Sequence, residues 1–401
     1  MRVLTVTSLY PNAAQPNHAV FVENRMRRVH ETGEAEITVV APTPWFPSKN
    51  KVFGSYAVHA AVPKTETRFG IRIDHPRYAM IPKIGMQSQP VLYLRALRRA
   101  VAKLIEETGP FDLIDAHYFY PDGVAASRLA SELGIPFTCT ARGTDVNQIP
   151  MISEFGRAAV LDVARRAATS ITVCEALRQE LIELGADGSK IRTLRNGVDL
   201  ENFHPPTEPR DALKQKYGVP VDASLVVSVG GLVERKGHHL TIDAVAELEG
   251  VYLLIAGSGA EHGALEARIE GLGVADRIRL MGALPHQELA DFFGAADISV
   301  LASSREGWAN VLLESMACGT PVVATSVWGT PEVVAAPEAG LLAMERDAPT
   351  LRTQIDALLN ALPDRTATRT YAEKFSWDDT IEGVVDVFKA AVSQHEKRRT
   401  S

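Results

Sequence analysis

The segment SSREGWANVLLESMACGTPVVAT, residues 303–325, decides the fold. It predicts a strand that ends at Ser303, a short loop, a helix that starts near Trp308, and a second buried strand at 321–325. Strand, helix and strand in this order form a βαβ unit with parallel strands. Backbone N–H groups from Gly307 onward lie at the start of the helix. They favour an anion, because they are unpaired and aligned with the helix dipole.

The same alternation of strand and helix runs along the whole chain. The predicted strands are at 3–8, 36–41, 112–117, 136–141, 170–173, 191–194, 224–230, 251–257, 277–282, 297–303 and 321–325. The predicted helices of the first half are at 20–30, 91–107, 123–133, 157–167 and 175–184. Alternation of this kind predicts an α/β fold with parallel sheets and helices on both faces. The strands of the second half are nearly continuous apolar runs, which is typical of strands buried on both faces.

The chain is long enough for two domains. Its 401 residues exceed the roughly 250–300 that one core supports. A polar, proline-containing stretch at 201–223 separates the two series of strands, so we predict domains at 1–200 and 201–375. We expect two Rossmann-like, doubly wound parallel-sheet domains facing a cleft, with ligands outside the carboxyl ends of the strands. The proline-rich stretch 42–70 is predicted to be a loop.

Composition excludes several classes of protein. No stretch approaches the ~18 apolar residues of a membrane span. Three widely spaced cysteines indicate reduced thiols rather than disulfides or a zinc site. The N-terminal apolar run is short and predicts a strand, not a signal peptide. We therefore expect a cytoplasmic protein. Nucleic acid is not an expected partner, because no recognisable binding motif accompanies the basic clusters.

The first 110 residues are rich in basic side chains although the net charge is −7. The basic clusters contain Arg25, Arg27, Arg28, Arg95, Arg98, Arg99 and Lys103. They could dock the protein peripherally on an anionic membrane at the inner face of the plasma membrane, or they could form solvated helix faces. The helix at 89–107 carries an apolar stripe that either packs on its own sheet, which we favour, or rests on a membrane.

Two glutamates in the opening segment point to sugar chemistry. Glu306 and Glu314 bracket Gly307 and Asn310 at the start of the predicted helix. Carboxylates accept hydrogen bonds from sugar hydroxyls, whereas groups that bind phosphate are donors. Each glutamate alone could be a helix-dipole residue or part of a solvated face. The pair around an anion site predicts binding of both a sugar and a phosphate.

On these residues the chain resembles family-four glycosyltransferases of the GT-B fold, whose E-x7-E motif is present as EGWANVLLE. Further matches are NGVD (196–199), KG (236–237), the strand-GSG (255–259), GTPEVV (329–334) and FSWDD (375–379). Segments 8–26, 115–123 and 141–147 are similar to members that build bacterial exopolysaccharides or teichuronic-acid-type polymers. The resemblance implies a retaining transfer from a nucleotide diphosphate sugar, UDP- or GDP-linked, to a glycan or lipid-linked acceptor. It also implies no cofactor, no metal, and a last helix (about 376–395) that crosses back to the first domain.

The resemblance also assigns roles to residues. Glu306 would lie near the donor sugar, Lys236 would bind the diphosphate, and His117 would contact the sugar or acceptor. Glu314 would hold the ribose. The other implied donor-binding residues are Gly307, Trp308, Ala309, Asn310, Arg235, Gly230, Gly231 and Asn196. The implied acceptor-side residues are His18, Arg142 and Asp145.

The chain departs from the family at Gly231, where many relatives carry an arginine. A second cation for the diphosphate would then come from Arg235 or Arg142, or would be absent. Relatives also often have glycines in the loop after the first strand, where this chain has Asn17, His18 and Ala19.

Three other functions remain open from the sequence. A non-hydrolysing nucleotide-sugar epimerase shares this architecture and needs no acceptor. A dinucleotide-dependent oxidoreductase is disfavoured because no G-x-G-x-x-G follows the first strand. A two-lobed binding module is disfavoured by the intact glutamate pair. Fold alone does not separate these functions.

Overall fold

The computed structural model describes residues 1–50, 52, 54–80 and 85–400. These residues form two compact units. Unit 1 contains residues 1–196 and the C-terminal segment from Asp378, and unit 2 contains Gly197–Trp377. The boundary predicted after residue 200 falls in the same connection between secondary-structure elements.

Unit 1 is built on one large sheet. Its strands are β1 (Arg2–Thr7), β2 (Glu36–Val40), β3 (Thr43–Pro44), β4 (Thr65–Arg68), β5 (Ile71–Asp74), β6 (Arg77–Tyr78), β7 (Leu113–His117), β8 (Phe137–Ala141), β9 (Thr169–Thr172) and β10 (Ile191–Thr193). Its first helices are α1 (Val20–Glu31), α2 (Ser55–Ala61), α3 (Gln89–Thr108), α4 (Val124–Leu133), α5 (Thr144–Asn147), α6 (Ile149–Ile152), α7 (Glu154–Arg166) and α8 (Glu175–Leu184). Eight of these strands form the large sheet, in the order β10-β9-β8-β7-β1-β2-β5-β4, and all neighbours are parallel except β4 and β5. The other two, β3 and β6, form a separate two-stranded parallel sheet. The strand order reverses between β1 and β7.

The predicted loop at 42–70 is wrong in part. The segment contains β3, α2 and β4, and β4 pairs with β5 as an antiparallel hairpin at the edge of the sheet. The two residues between these strands, Phe69 and Gly70, have φ angles of 50° and 78°. Positive φ at both central residues is typical of the tight turns that join hairpin strands. The hairpin escapes an apolar-run search because every residue of β4 is at least partly exposed.

The basic cluster of α3 is exposed, whereas that of α1 is partly buried. Arg25 is fully buried, so the cluster on α1 is not a continuous surface patch. Arg98 on α3 forms an ion pair with Glu132 on α4. The apolar stripe of α3 is buried from Leu94 onward, as expected for a helix that packs on its own sheet. Within the described parts of the chain, no helix combines the length and the apolar character of a membrane span.

Unit 2 is a second, smaller parallel sheet with helices. Its strands are β11 (Ser224–Val229), β12 (Val251–Ala256), β13 (Ile278–Gly282), β14 (Ile298–Leu301), β15 (Val322–Thr325) and β16 (Gly340–Ala343). Its helices are α9 (Arg210–Lys216), α10 (His238–Ala246), α11 (His262–Gly271), α12 (Leu289–Ala295), α13 (Asn310–Ala317), α14 (Thr330–Val333), α15 (Ala348–Asn360) and α16 (Arg365–Glu373). The last helix of the chain, α17 (Asp378–Thr400), belongs to unit 1 and packs against α1.

The six strands of unit 2 have the order β13-β12-β11-β14-β15-β16, and all neighbours are parallel. This is the doubly wound arrangement of a Rossmann-like domain, with the reversal between β11 and β14. The central strands are buried on both faces, which explains their continuous apolar sequences. Together the two parallel sheets confirm the predicted α/β fold class. The sequence analysis missed β16 as well as β3–β6.

Candidate active site

Two loops of unit 2 meet where the strand order of its sheet reverses. The chain leaves β11 at Gly230 and leaves β14 just before Ser303. Since β11 and β14 are parallel neighbours, both loops emerge at the same edge of the sheet. Ligands of doubly wound sheets bind at this switch point, because the loops diverge there and leave a crevice.

Glu306 is the centre of a charged cluster in these loops. Its Oε1 accepts hydrogen bonds from Lys236 Nζ at 2.6 Å and from the hydroxyl of Ser303 at 2.6 Å. Arg235 Nη1 lies 3.4 Å from the same oxygen and also donates to the carbonyl oxygen of Arg305. Only Oε1 receives these bonds, and Oε2 accepts none from the described residues. The structure therefore brings Glu306, Lys236 and Arg235 together around one oxygen and leaves two positive charges facing one carboxylate.

Glycines hold the cluster in place. Gly237, directly after Lys236, has a φ of 69°, and a Cβ added there would lie 2.1 Å from the carbonyl oxygen of Ala302. A Cβ on Gly257 would lie 1.8 Å from the carbonyl oxygen of Gly230. The loops after β11, β12 and β14 thus approach one another backbone to backbone, which only glycine permits. Arg346 ties two of the loops together by donating to the carbonyl oxygens of Ala302 and Glu234.

Glu314 lies on α13, and its carboxylate has no hydrogen-bond partner among the described residues. Burial raises its pKa to about 7, with a smaller contribution in the same direction from the negative charge of Asp199. Lys236 acts in the opposite direction. A half-buried carboxylate without a partner can accept hydrogen bonds from a ligand, and its charge changes near neutral pH.

An aromatic side chain just before α13 is buried in unit 2. Trp308 is only 6% exposed, and its ring lies 6.0 Å from that of Phe375. Ala309 is buried too, whereas Gly307 and Asn310 are partly exposed. Packing of Trp308 fixes the backbone that precedes the helix, so the residues predicted to face a donor stand on a rigid element.

In unit 1, His117 ends β7 at the corresponding switch point, next to β1. The imidazole is fully buried between two charged side chains. The guanidinium of Arg142 donates to Nδ1, and Nε2 lies 2.8 Å from Oδ2 of Asp115. Because Nδ1 accepts a hydrogen bond, the proton of the neutral ring is on Nε2. Burial lowers the pKa of His117 to about 4, so the ring is neutral at physiological pH.

The network continues to Asn196, which was predicted to bind the donor but lies in unit 1. Its side-chain oxygen accepts hydrogen bonds from Arg25 Nη2 at 2.9 Å and from Arg142 Nη1 at 3.2 Å. Arg25 also donates to the carbonyl oxygen of Leu194. Burial lowers the pKa of Arg25 to about 10. The ion pair of Asp115 with His117 and the contact of Arg25 with Asn196 were not predicted from the sequence. Arg25 and Asn196 are far apart along the chain, so no spacing pattern connects them.

The other two predicted acceptor-side residues have different roles. Asp145 is fully buried, and its carboxylate accepts hydrogen bonds from the backbone N–H groups of Phe119, Arg142 and Gly143. It therefore shapes the turn that carries Arg142, and burial raises its pKa. His18 is partly exposed, and its Nε2 lies 3.3 Å from the carbonyl oxygen of Ser8.

A buried carboxylate that the sequence did not reveal fixes the end of β1. Asp122 accepts hydrogen bonds from the hydroxyl of Tyr93 at 2.6 Å and from the backbone and side chain of Ser8. Burial raises the pKa of Asp122 to about 7, and these hydrogen bonds oppose the rise. Unit 1 thus holds a carboxyl with a pKa near neutrality, as unit 2 does at Glu314.

The described part of the chain contains no cluster of metal-binding side chains and no disulfide. No group of three or more His, Cys, Asp or Glu side chains is placed to hold a metal ion there. Cys139, Cys174 and Cys318 are all buried, and none of them forms a disulfide.

The chain matches two known families along most of its length. Residues 20–202 match the model "Glycosyltransferase Family 4", and residues 209–375 match "Glycosyl transferases group 1". The chain is 31% identical over 350 residues to a D-inositol 3-phosphate glycosyltransferase of Acidothermus cellulolyticus, covering 80% of this chain and 75% of that protein. It is 29% identical over 332 residues to the teichuronic acid biosynthesis glycosyltransferase TuaC of Bacillus subtilis, covering 82% of each.

Solved structures share the fold at low sequence identity. Sucrose-phosphate synthase from Thermosynechococcus elongatus has a TM-score of 0.80 at 19% identity, covering 98% of this chain and 99% of that one. HepE of Anabaena in complex with UDP-glucose has a TM-score of 0.72 at 18% identity, covering 97% of this chain and 99% of that one.

Proposed function

The chain belongs to the family-four glycosyltransferases of the GT-B fold, and on that premise we propose that it transfers a sugar from a nucleotide diphosphate sugar to a glycan or lipid-linked acceptor. The observation that carries this proposal is the cluster of Glu306, Lys236 and Arg235 at the switch point of unit 2. Two cations suit a diphosphate, and a carboxylate beside them suits a sugar hydroxyl. The complex of HepE with UDP-glucose supports a nucleotide-sugar donor.

In the proposed reaction, the bond between the anomeric carbon and the diphosphate oxygen breaks, and that carbon forms a bond to a hydroxyl oxygen of the acceptor. Negative charge develops on the leaving phosphate, which takes up the proton of the acceptor hydroxyl. Lys236 has three N–H donors, so it can keep its bond to Glu306 and still donate to the phosphate. Arg235 and the N–H groups at the start of α13 add to the stabilisation of this charge. Glu314 accepts hydrogen bonds from the ribose. Because protein groups supply the positive charge, the proposed reaction needs no metal ion and no cofactor.

The proposed transfer retains the anomeric configuration, as implied by the family. Glu306 is the carboxylate near the donor sugar in this scheme. Residues at the carboxyl ends of β1 and β7 in unit 1 bind the acceptor, with Arg142 as the cationic group of that site. His117 orients Arg142 through the hydrogen bond at Nδ1.

The acceptor proposal has two candidates. Similarity to TuaC favours a bacterial surface polysaccharide or its lipid-linked precursor. Similarity to D-inositol 3-phosphate glycosyltransferases favours a phosphorylated polyol, whose anionic group would suit Arg142. Three buried cysteines without a disulfide support a reducing, cytoplasmic location for either reaction. For a lipid-linked acceptor, we propose peripheral contact at the inner face of the plasma membrane.

The donor can be identified with the purified protein. We would titrate UDP, GDP, ADP and their sugar conjugates by calorimetry without added metal, with NAD(H) beside them. We expect selective binding of one nucleotide series and loss of that binding in Glu314→Ala. Transfer to a panel of lipid-linked glycans and inositol phosphate, followed by NMR of the anomeric proton, would then test the acceptor and the stereochemistry.

Three outcomes would each contradict a different part of the proposal: the donor, the transfer to an acceptor, or the independence of a metal ion. Binding of NAD(H) alone would remove the donor assignment. Release of an epimerised sugar nucleotide without an acceptor would identify an epimerase. Turnover that is abolished by EDTA and restored by Mg²⁺ would contradict metal independence while leaving the transfer itself intact.

A further inference from the structure

A cavity of about 540 Å³ opens in unit 1 at the amino ends of β8 and β9. This is the edge of the sheet opposite to the one where His117 ends β7, so the cavity is separate from the proposed acceptor site. Its wall is formed by the ends of α4 and α7, the turn before β10, and α17. Its volume lies within the range of roughly 300–1,000 Å³ that is typical of small-molecule sites.

The lining of the cavity is basic. It includes the side chains of Arg165, Arg166, Lys190 and Arg398 together with His395, and it includes no aspartate or glutamate. Hydroxyl groups on the same wall belong to Ser131, Thr169 and Ser189. Arginine, lysine and hydroxyl donors together are the groups that bind phosphate oxygens in proteins.

Neighbouring acids only partly neutralise this charge. Asp162 forms ion pairs with both Arg165 and Arg166, and Asp187 lies close enough to Lys190 to feel its charge. Arg165, Arg166 and Lys190 therefore carry three positive charges against these two carboxylates. Only Nε of Arg166 is used by Asp162, so the remaining guanidinium nitrogens can donate to a ligand. The cavity is thus a basic surface separate from the clusters on α1 and α3.

Local structure holds the cavity open. His395 on α17 donates from Nε2 to the carbonyl oxygen of Gly134, which ends α4. Lys190 donates to the carbonyl oxygen of Arg165, which joins the turn before β10 to the end of α7. From this arrangement we infer that unit 1 carries a second ligand site, at the amino ends of β8 and β9, that binds a phosphate-bearing compound.

Inorganic pyrophosphate is the probe for this site. The full chain would be used in a Lys236→Ala background, which removes the main cation of the donor site in unit 2. Calorimetry at low ionic strength would compare Arg166→Ala/Lys190→Ala with a control, Arg98→Ala/Arg352→Ala, which removes two exposed arginines elsewhere. We expect affinity to fall about tenfold or more in the first variant and to stay unchanged in the control, because charge-assisted hydrogen bonds are lost only there.

The source of the phosphate is tested with vesicles. Sedimentation with phosphatidylglycerol-containing vesicles, against pure phosphatidylcholine, reports a lipid headgroup, whereas pyrophosphate binding alone reports a soluble ligand. Binding to the vesicles or to pyrophosphate supports the site if that binding is lost in Arg166→Ala/Lys190→Ala. Equal effects of both double variants, or no binding of either probe, would overturn it. If Arg166→Ala/Lys190→Ala folds poorly, the site is tested in the wild-type protein instead, by amide hydrogen exchange of the turn at 187–191. We expect slower exchange with pyrophosphate, and unchanged exchange overturns the site.

Discussion

Glu306 and His117 occupy corresponding places in the two units, yet their polar atoms are used differently. Each lies at the carboxyl edge of its sheet, where the strand order reverses. Glu306 places all its bonds on one oxygen, whereas His117 is fully buried with a charged neighbour at each ring nitrogen. A group with unused hydrogen-bonding capacity can bind a ligand. A group that is enclosed by charged neighbours holds those neighbours in position.

The largest effect should follow from removal of Lys236. We expect Lys236→Ala to lower kcat by about 100- to 1,000-fold, because a fixed positive charge no longer stabilises the leaving phosphate. Glu306→Gln should lower kcat similarly. Steady-state kinetics with the identified donor would measure this, and Arg352→Ala, an exposed arginine of the same unit, is the control. A near-wild-type rate in Lys236→Ala would contradict the assigned role and the comparison.

Removal of His117 should instead act on stability. His117→Ala leaves Asp115 and Arg142 facing a void, and we expect a loss of about 3 kcal/mol in the free energy of unfolding. Urea denaturation would measure the loss, with Glu306→Gln as the less affected comparison. The pKa of His117 falls from its ordinary 6.5 to about 4, so its contribution is full above pH 6.5 and is lost as the pH falls to 4. The difference between wild type and variant should shrink over that window.

A different result would reverse the comparison. If His117→Asn kept the wild-type stability and lost most of its turnover, His117 would touch the reacting groups directly. The pH profile of kcat offers a second check. A neutral His117 contributes no inflection between pH 5 and 9, as its pKa is about 4.

Glu314 should give an effect of intermediate size that depends on pH. Its pKa of about 7 means that the carboxylate is mostly protonated at pH 6 and mostly ionised at pH 8. Only the ionised form accepts hydrogen bonds from both ribose hydroxyls at full strength. We therefore expect the affinity for a nucleotide diphosphate sugar to rise by up to about tenfold from pH 6 to pH 8. Glu314→Gln should remove that dependence. Calorimetry at both pH values measures it, and a pH-dependent Gln variant would contradict the role.

Some of this arrangement was predictable from sequence, and the reasons are physical. Buried parallel strands have continuous apolar sequences. The central strands of both sheets and the loop that carries Glu306 were therefore predicted from the sequence. The edge hairpin of β4 and β5 is half-exposed and was not found. Individual contacts were also beyond reach. Asp122 reaches Ser8 through the pairing of β7 with β1, which no spacing in the sequence reveals. Asp115 and His117 are two residues apart on β7 and share a face of the sheet, but the spacing alone did not show that they form an ion pair.

Backbone strain gives the same lesson on a smaller scale. Ala19 has a φ of 52°, a left-handed conformation that glycine adopts at lower cost. The sequence marked this loop as lacking the glycines of relatives, but it did not reveal which residue adopts the left-handed conformation.

The smallest effect concerns Gly231, where many relatives carry an arginine. The nearest atom to a Cβ added there is the carbonyl oxygen of Ser258 at 3.9 Å, so the position has room for a side chain. We expect Gly231→Arg to fold normally and to bind the donor severalfold more tightly, because a third cation joins Lys236 and Arg235. A partly exposed charge pair contributes about 1 kcal/mol or less. Calorimetry with the donor measures the change.

Two further variants sharpen that result. Gly231→Gln adds a polar side chain without charge, so it should bind like the wild type if charge is the cause. Gly237→Ala should destabilise unit 2 strongly, since its Cβ would lie 2.1 Å from the carbonyl oxygen of Ala302. If Gly231→Arg were as unstable as Gly237→Ala, the loop after β11 would be as tightly packed as the network around His117. The contrast between Glu306, which has an unused carboxylate oxygen, and His117, which is enclosed by charged side chains, would then fail.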